Sequence, residues 1–330
     1  MRAIHRADAF VSRHMASATL LCVALGVLFP NTFSRLKTIV IWMFAFMTFA
    51  NSLGGGFKEL GKVVVHPLPV LATLLILHIV LPLAALGLGN LLFPSAPLFT
   101  TGLVLEYSVP TAVASLMWVS IGRGDESLCL AIVLLDTLLS PIVVPLTLKT
   151  LVGSVVKMDV IGMMKNLMIM VAIPALIAMT LHQATHGQVA KTVKPQLAPF
   201  AKLALLLIIL TNATGCAPFL RHMTPTLVLV MLSAFLLSAF SFFLSYQAGR
   251  LLHLQFPTAE TVTLTGGMRN NSAGAVLALR YFPGDVLFPA AFSPMFQQFT
   301  TAVVVRILRH TKAGQADQEV FAHLSGSAPK

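Results

Sequence analysis

The chain has 330 residues, 57% of them hydrophobic and only 10% charged, with a net charge of +11. Soluble domains carry nearer about 25% charged residues, which excludes a soluble architecture, and the weak alternating ten-residue strands of a membrane β-barrel are absent. The 22 Lys and Arg are spread along loops and not gathered on one face, which excludes a nucleic-acid surface and fits membrane loops.

Apolar runs recur along the whole length. In chain order they cover about 15–31, 37–53, 68–93, 97–121, 127–151, 159–182, 197–215, 224–247, 258–280 and 285–308. Most of them are long enough to cross about 30 Å of hydrocarbon as helix. The expected class is therefore an all-α membrane protein with about ten transmembrane helices. Residues 1–310 form one integral domain, and the polar tail at 311–330 is expected to be disordered.

The first run follows Arg2, Arg6 and Arg13 but leads to Pro30 and Asn31, not to a small-residue cleavage site, so it reads as an uncleaved span. Distributing Lys and Arg over ten spans puts about twice as many on the side that holds both ends. Both termini are therefore expected in the cytoplasm, with the chain in a bacterial inner membrane. Cys22, Cys129 and Cys216 lie in or beside apolar runs without paired spacing, so neither a disulfide framework nor a metal site is expected.

Two runs are interrupted. The fourth carries Tyr107-Ser108-Val109-Pro110-Thr111; Pro110 removes a helix hydrogen bond and disfavours helix at Val109. The ninth carries Thr265-Gly266-Gly267-Met268-Arg269-Asn270-Asn271-Ser272, so Pro110, Gly266 and Gly267 are the expected helix breaks. These are the fourth helices of two five-helix halves, about 15–151 and 159–308. Because five is odd, the second half enters the membrane inverted. Interrupted segments at matching places in two halves are a strong sequence pointer to a transporter site. A buried Arg is costly enough to mark function by default.

At these residues the chain resembles the bile acid:sodium symporter family, within a wider group that includes arsenite efflux permeases and auxin-type carriers. Pro110-Thr111-Ala112-Val113-Ala114-Ser115, then Gly122-Arg123-Gly124-Asp125, is similar to the family's fourth-helix motif. Thr137 to Pro141 and Pro145 match its fifth helix. Gly267-Met268-Arg269-Asn270 matches the ninth-helix motif Glu-x-Gly-Met-Gln-Asn, and Phe44 to Phe57 resembles the panel helix and its exit. The resemblance implies a ten-helix inverted repeat, with broken helices 4 and 9 crossing in a core domain beside a panel domain.

It also implies where cations would sit. The positions that bind the first sodium in the family correspond to Ser115, Leu116, Cys129, Val133 and Thr265, and the Gln that helps bind the second corresponds to Arg269. Hard cations need oxygen ligands, which Leu, Cys and Val cannot supply. Two sodium ions with one Glu would leave the crossover at +1, and so does Arg269 with neutral Thr265. Arg269 is thus expected to stand in for bound cation, making a proton the expected coupling ion in place of Na+.

A buried Arg needs a partner. Cys129, Val133 and Asp136, spaced four and three apart, share one helix face, and Glu106 lies four residues before Pro110. Either acid can pair with Arg269 and carry a proton, Asp136 being preferred; a static ion pair is the structural alternative. His78 reads as a satisfied core histidine or a proton relay. Arg269, Asn270, Asn271, Thr265, Thr111, Ser115 and Gln297 are the expected substrate-binding set, Gln297 reading equally as an interhelical hydrogen bond. Positive helix N-termini and Arg269 favour a carboxylate.

The function expected is secondary transport of a small organic anion, with no cofactor and no enzymatic reaction. The alternatives are a sodium-coupled symporter of bile-acid-like or other anions, a non-transporting sensor on the same fold, and a metalloid efflux permease. A membrane-embedded enzyme lacks any accompanying catalytic motif.

Overall fold

The structure, a computed structural model, describes residues 15–311. The arginines at the N-terminus and all of the expected polar tail except Thr311 lie outside these residues. The described chain is helical, without a strand longer than an isolated bridge.

Apart from the short turns Pro30–Phe33 and Gln188–Thr192, the α-helices in chain order are α1 (Met15–Leu28), α2 (Val40–Ser52), α3 (Phe57–Val65), α4 (Pro67–Leu92), α5 (Pro97–Ser108) and α6 (Ser115–Gly122). There follow α7 (Glu126–Val152), α8 (Val160–Ala184), α9 (Lys194–Arg221), α10 (Pro225–Leu251), α11 (Phe256–Gly267), α12 (Asn271–Tyr281) and α13 (Gly284–Arg309). Five of these, α4, α7, α8, α9 and α10, are long and apolar enough to cross a membrane. The number rises to seven if the bent pairs at 17–38 and 40–65 each count as one span. The first and second expected spans, about 15–31 and 37–53, both end close to a sharp bend. After α1 the chain bends by 102° where Pro30 opens a new turn. After α2 it bends by 70° over Gly54, Gly55 and Gly56 into the short helix α3. A ring nitrogen of His182 on α8 bonds the Leu53 carbonyl at 2.9 Å, satisfying a backbone group left at the end of α2.

The outer surface is apolar, as a bilayer requires. On α4, Leu68, Leu71, Leu75, Ile79 and Leu83 recur every three or four residues and are all exposed, so this helix turns a hydrophobic stripe outward. The same helix contains a π-helical stretch, Ile76–Val80, in which the Leu81 N–H reaches back to the Ile76 carbonyl. Pro82 follows it and lacks the N–H that a regular α-turn would use. The stretch Met168–Ala172 in α8 precedes Pro174 in the same way.

Packing sorts the helices into two neighbouring groups. α1, α2, α8 and α9 pack on one another, while α4, α5, α10, α11 and α13 pack together, with α7 touching both. Two short helices, α5 and α11, carry the longest unbroken buried stretches. Every residue from Thr100 to Ser108 on α5 and from Glu260 to Gly267 on α11 is buried. The main apolar core includes Phe44, Leu103, Leu105, Leu148, Met163, Ile208, Leu237 and Phe288. A smaller one, with Cys129, Val133, Phe242, Leu264 and Met268, lies around the two helix interruptions.

Candidate functional site

The interruptions meet. α5 stops at Ser108, and Val109 is extended (φ −68°, ψ 155°), as a residue before proline prefers. α11 stops at Gly267, and Met268 is extended (φ −102°, ψ 137°). Thr111 and Arg269 then form an antiparallel bridge. The Asn270 N–H donates to the Pro110 carbonyl at 2.8 Å, and the Ala112 N–H donates to the Met268 carbonyl at 3.4 Å. Two further bonds close the crossing: Thr111 Oγ1 donates to the Thr265 carbonyl at 2.6 Å, and Ser241 Oγ to the Gly267 carbonyl at 3.0 Å. Irregular backbone deep in a membrane must find such partners, and each interruption supplies them to the other.

Gln297 on α13 completes the arrangement. Its Oε1 accepts the Arg269 N–H at 2.7 Å, and its Nε2 donates to the Arg269 carbonyl at 3.0 Å. Of the two expected roles, cavity lining and interhelical bonding, the second describes this contact. Asn270 caps α12, its Oδ1 accepting the Ala273 N–H at 3.4 Å.

The expected break at Gly266 and Gly267 needs correcting. Both are helical, as the last residues of α11, and the extended residues come after them. Their role is close approach to α10: a Cβ on Gly266 would lie 2.3 Å from Ser245 Oγ, and one on Gly267 would lie 2.1 Å from Phe242 Cδ1. Pro110 does lie in the interruption expected of it.

The charges also pair differently from expectation. Asp136 is fully buried, with Oδ2 accepting the Thr111 N–H at 2.6 Å and Oδ1 lying 2.5 Å from His78 Nε2. Both oxygens are therefore engaged, and neither Asp136 nor Glu106 forms a direct ion pair with Arg269. His78 reaches Asp136 from the π-helical stretch of α4. That helix and α7 are separated by 58 positions at this contact, which is why the sequence did not mark the pair.

Arg269 is 2% exposed. Its Nη1 donates to the Met268 carbonyl at 3.2 Å, while Nε and Nη2 have no partner. It feels the charges of Asp136 and Glu106 without touching either. Glu106 is 1% exposed and lies beside Ser293, with Oε2 unpartnered. That oxygen is 3.0 Å from where a Cβ on Gly274 would stand, in the first turn of α12. Both polar atoms of the Asn271 side chain are likewise buried and unpartnered.

The positions that the family resemblance ties to sodium are lined differently. Ser115 Oγ lies 3.5 Å from Cys129 Sγ, Cys129 and Val133 are buried in the smaller apolar core, and Leu116 packs against it. Thr265 turns its hydroxyl back to the Thr261 carbonyl at 2.7 Å. Among the described residues no cluster of three or more His, Cys, Asp or Glu is placed to hold a metal. Sequence patterning also passed over Glu260, 1% exposed on α11, whose Oε1 would lie 1.9 Å from a Cβ on Gly122. An acid inside an otherwise apolar run was the available signal.

An all-helical apolar body whose buried, interrupted helices meet at a charged centre defines an integral membrane transport protein. The chain belongs to the Sodium Bile acid symporter family, whose profile matches residues 39–220. It is 38% identical over 281 residues to an uncharacterised Bacillus subtilis protein, YbaS, covering 85% of this chain and 92% of the relative. A second relative, named an uncharacterised sodium-dependent transporter, YocS, of Bacillus subtilis, is 21% identical over 92% of this chain and 93% of its own. A third, named a probable sodium/metabolite cotransporter, BASS1, chloroplastic, of Arabidopsis thaliana, is 25% identical over 93% of this chain and 77% of its own.

Proposed function

We propose that this protein is a secondary transporter of small carboxylate anions that works by alternating access without the family's sodium sites. One observation carries the reading. A buried Arg269 sits at the crossing with two guanidinium nitrogens unpartnered, while the first-sodium positions 116, 129 and 133 offer leucine, cysteine and valine. The fixed charge supplies what bound cation would supply, and its free donors suit a carboxylate. Around it, ten spans form two inverted five-helix repeats, with α5/α6 and α11/α12 as the broken fourth and ninth spans. Both termini face the cytoplasm of a bacterial cell.

The coupling ion in this reading is a proton held at His78–Asp136. These groups meet at 2.5 Å, and Asp136 also holds the Thr111 N–H inside the crossing, so a change of charge on the pair bears on the crossing itself. A second reading, sodium coupling, is favoured by the names of two relatives, a sodium-dependent transporter and a probable sodium/metabolite cotransporter. The metalloid alternative has little support: that chemistry favours a thiolate in the fourth-helix motif, where this chain has Ser108 and Val109, while Cys129 lies on α7 against Ser115.

The test is uptake of carboxylates into proteoliposomes, with sodium replaced by choline at constant pH. Uptake is expected to persist; its collapse on removing sodium sinks the sodium-free mechanism. Absence of any flux, with ligand binding retained, favours a sensor. Arg269→Gln is expected to weaken carboxylate binding by roughly ten- to a hundredfold, the worth of about 1.5–3 kcal/mol for a hydrogen bond to a charged group. Unchanged affinity in that variant removes Arg269 from the site.

A further inference from the structure

Glu106 has no part in the mechanism above. Yet it is a buried acid with an unpartnered oxygen, placed against the first turn of α12. Asn271 begins that turn, and Gly274 is three residues on, so the two lie on the same side of the helix. Arg269 precedes the turn. One short stretch therefore gathers unpartnered donors on Arg269, an unpartnered amide on Asn271 and an unpartnered acceptor on Glu106. Gly274 carries no Cβ, which would stand 3.0 Å from Glu106 Oε2; the glycine lets the buried oxygen approach the turn closely.

Arg269 and Glu106 are near enough to feel each other's charge but do not form an ion pair. Opposite buried charges that stop short of contact leave both polar ends unsatisfied, which is costly unless a third group joins them. The unpartnered atoms indicate which group. Nε and Nη2 of Arg269 can only donate, whereas Oε2 of Glu106 can accept. A simple carboxylate would meet the donors and leave Oε2 unpaired. A molecule with both a carboxylate and an ammonium would meet both.

We propose that the carboxylate substrate is a zwitterion of the amino-acid class. Its carboxylate is held by Arg269 Nε and Nη2, its ammonium by Glu106 Oε2, and Asn271 bridges the two ends. This rests on the carboxylate transport proposed above and narrows it.

The test is a ligand series with one skeleton and one changed group. Alanine, lactate and propionate are bound to the purified full chain and followed by thermal shift and equilibrium binding, with β-alanine and γ-aminobutyrate added to vary the spacing of the charges. For the wild type, at least one amino-carboxylate is expected to bind at least about tenfold tighter than propionate, since the analogue leaves a buried acceptor unpaired. In Glu106→Gln that preference is expected to shrink below about threefold while propionate binds no more weakly than before, which also shows that the variant is folded. Propionate or lactate binding as tightly as every amino acid overturns the proposal and leaves carboxylate transport standing. So does a preference that survives in Glu106→Gln. Should that variant fail to fold, the wild-type series decides alone. Failure of all carboxylates to bind removes the proposed function and this inference together.

Discussion

Replacing Gln297 by leucine isolates the contribution of one side chain to the helix crossing. Gln297 makes two hydrogen bonds to the backbone of Arg269, at 2.7 Å and 3.0 Å, and is 6% exposed. Leucine has similar volume, so the cavity effect is small and the cost is that of two orphaned backbone groups. Side-chain hydrogen bonds within membrane proteins average about 0.6 kcal/mol, which sets a floor of roughly 1.2 kcal/mol for the pair. Leaving a buried donor or acceptor unpaired costs about 1–3 kcal/mol each. Relaxation of the crossing will recover part of that, so the expected loss is about 1–4 kcal/mol. Gln298 is the internal control. It is exposed and accepts a bond from Trp118 Nε1 at 3.1 Å, so Gln298→Leu is expected to cost less than about 0.5 kcal/mol. Unfolding in detergent, with both variants compared with the wild type, measures the difference. Equal losses for the two, or a loss below about 0.5 kcal/mol for Gln297→Leu, would refute the account of Gln297 as a backbone clamp.

Other substitutions probe neighbouring parts of the same centre. In Gly267→Ala the new Cβ would meet Phe242 Cδ1 at 2.1 Å, so a loss of about 1–3 kcal/mol is expected from overpacking, with partial recovery in the double variant carrying Phe242→Leu. Gly87→Ala, where nothing lies within 4 Å, should be neutral or slightly stabilising by the same unfolding measurement. Asp136→Asn can still accept the Thr111 N–H but loses its charge opposite His78. It is expected to keep ligand binding while losing acceleration of uptake by an inward proton gradient. An unaltered response to that gradient in proteoliposomes would take proton coupling away from the pair.

The membrane class, the chain positions of the interruptions and the list of polar residues at risk were all legible in the sequence. They follow from local chemistry: apolar run length sets what can cross a bilayer, Pro110 cannot continue a helix, and an arginine amid apolar residues must be housed somewhere. Even the mistaken reading of Gly266 and Gly267 pointed to the right place, because glycines serve close approach as readily as they end helices. What tertiary structure decided was who partners whom. Asp136 looked like the natural mate of Arg269, yet its two oxygens go to His78 and to the Thr111 N–H, 58 and 25 positions away. Gln297 and Gln298 are neighbours in one helix, and only the first faces the crossing. The bends after α1 and α2 fall near the expected span ends at 31 and 53, but their angles of 102° and 70° came only with the structure. Hydrogen bonds and ion pairs depend on direction and on distances of a few tenths of an ångström. Those quantities exist only once helices far apart in the chain have packed.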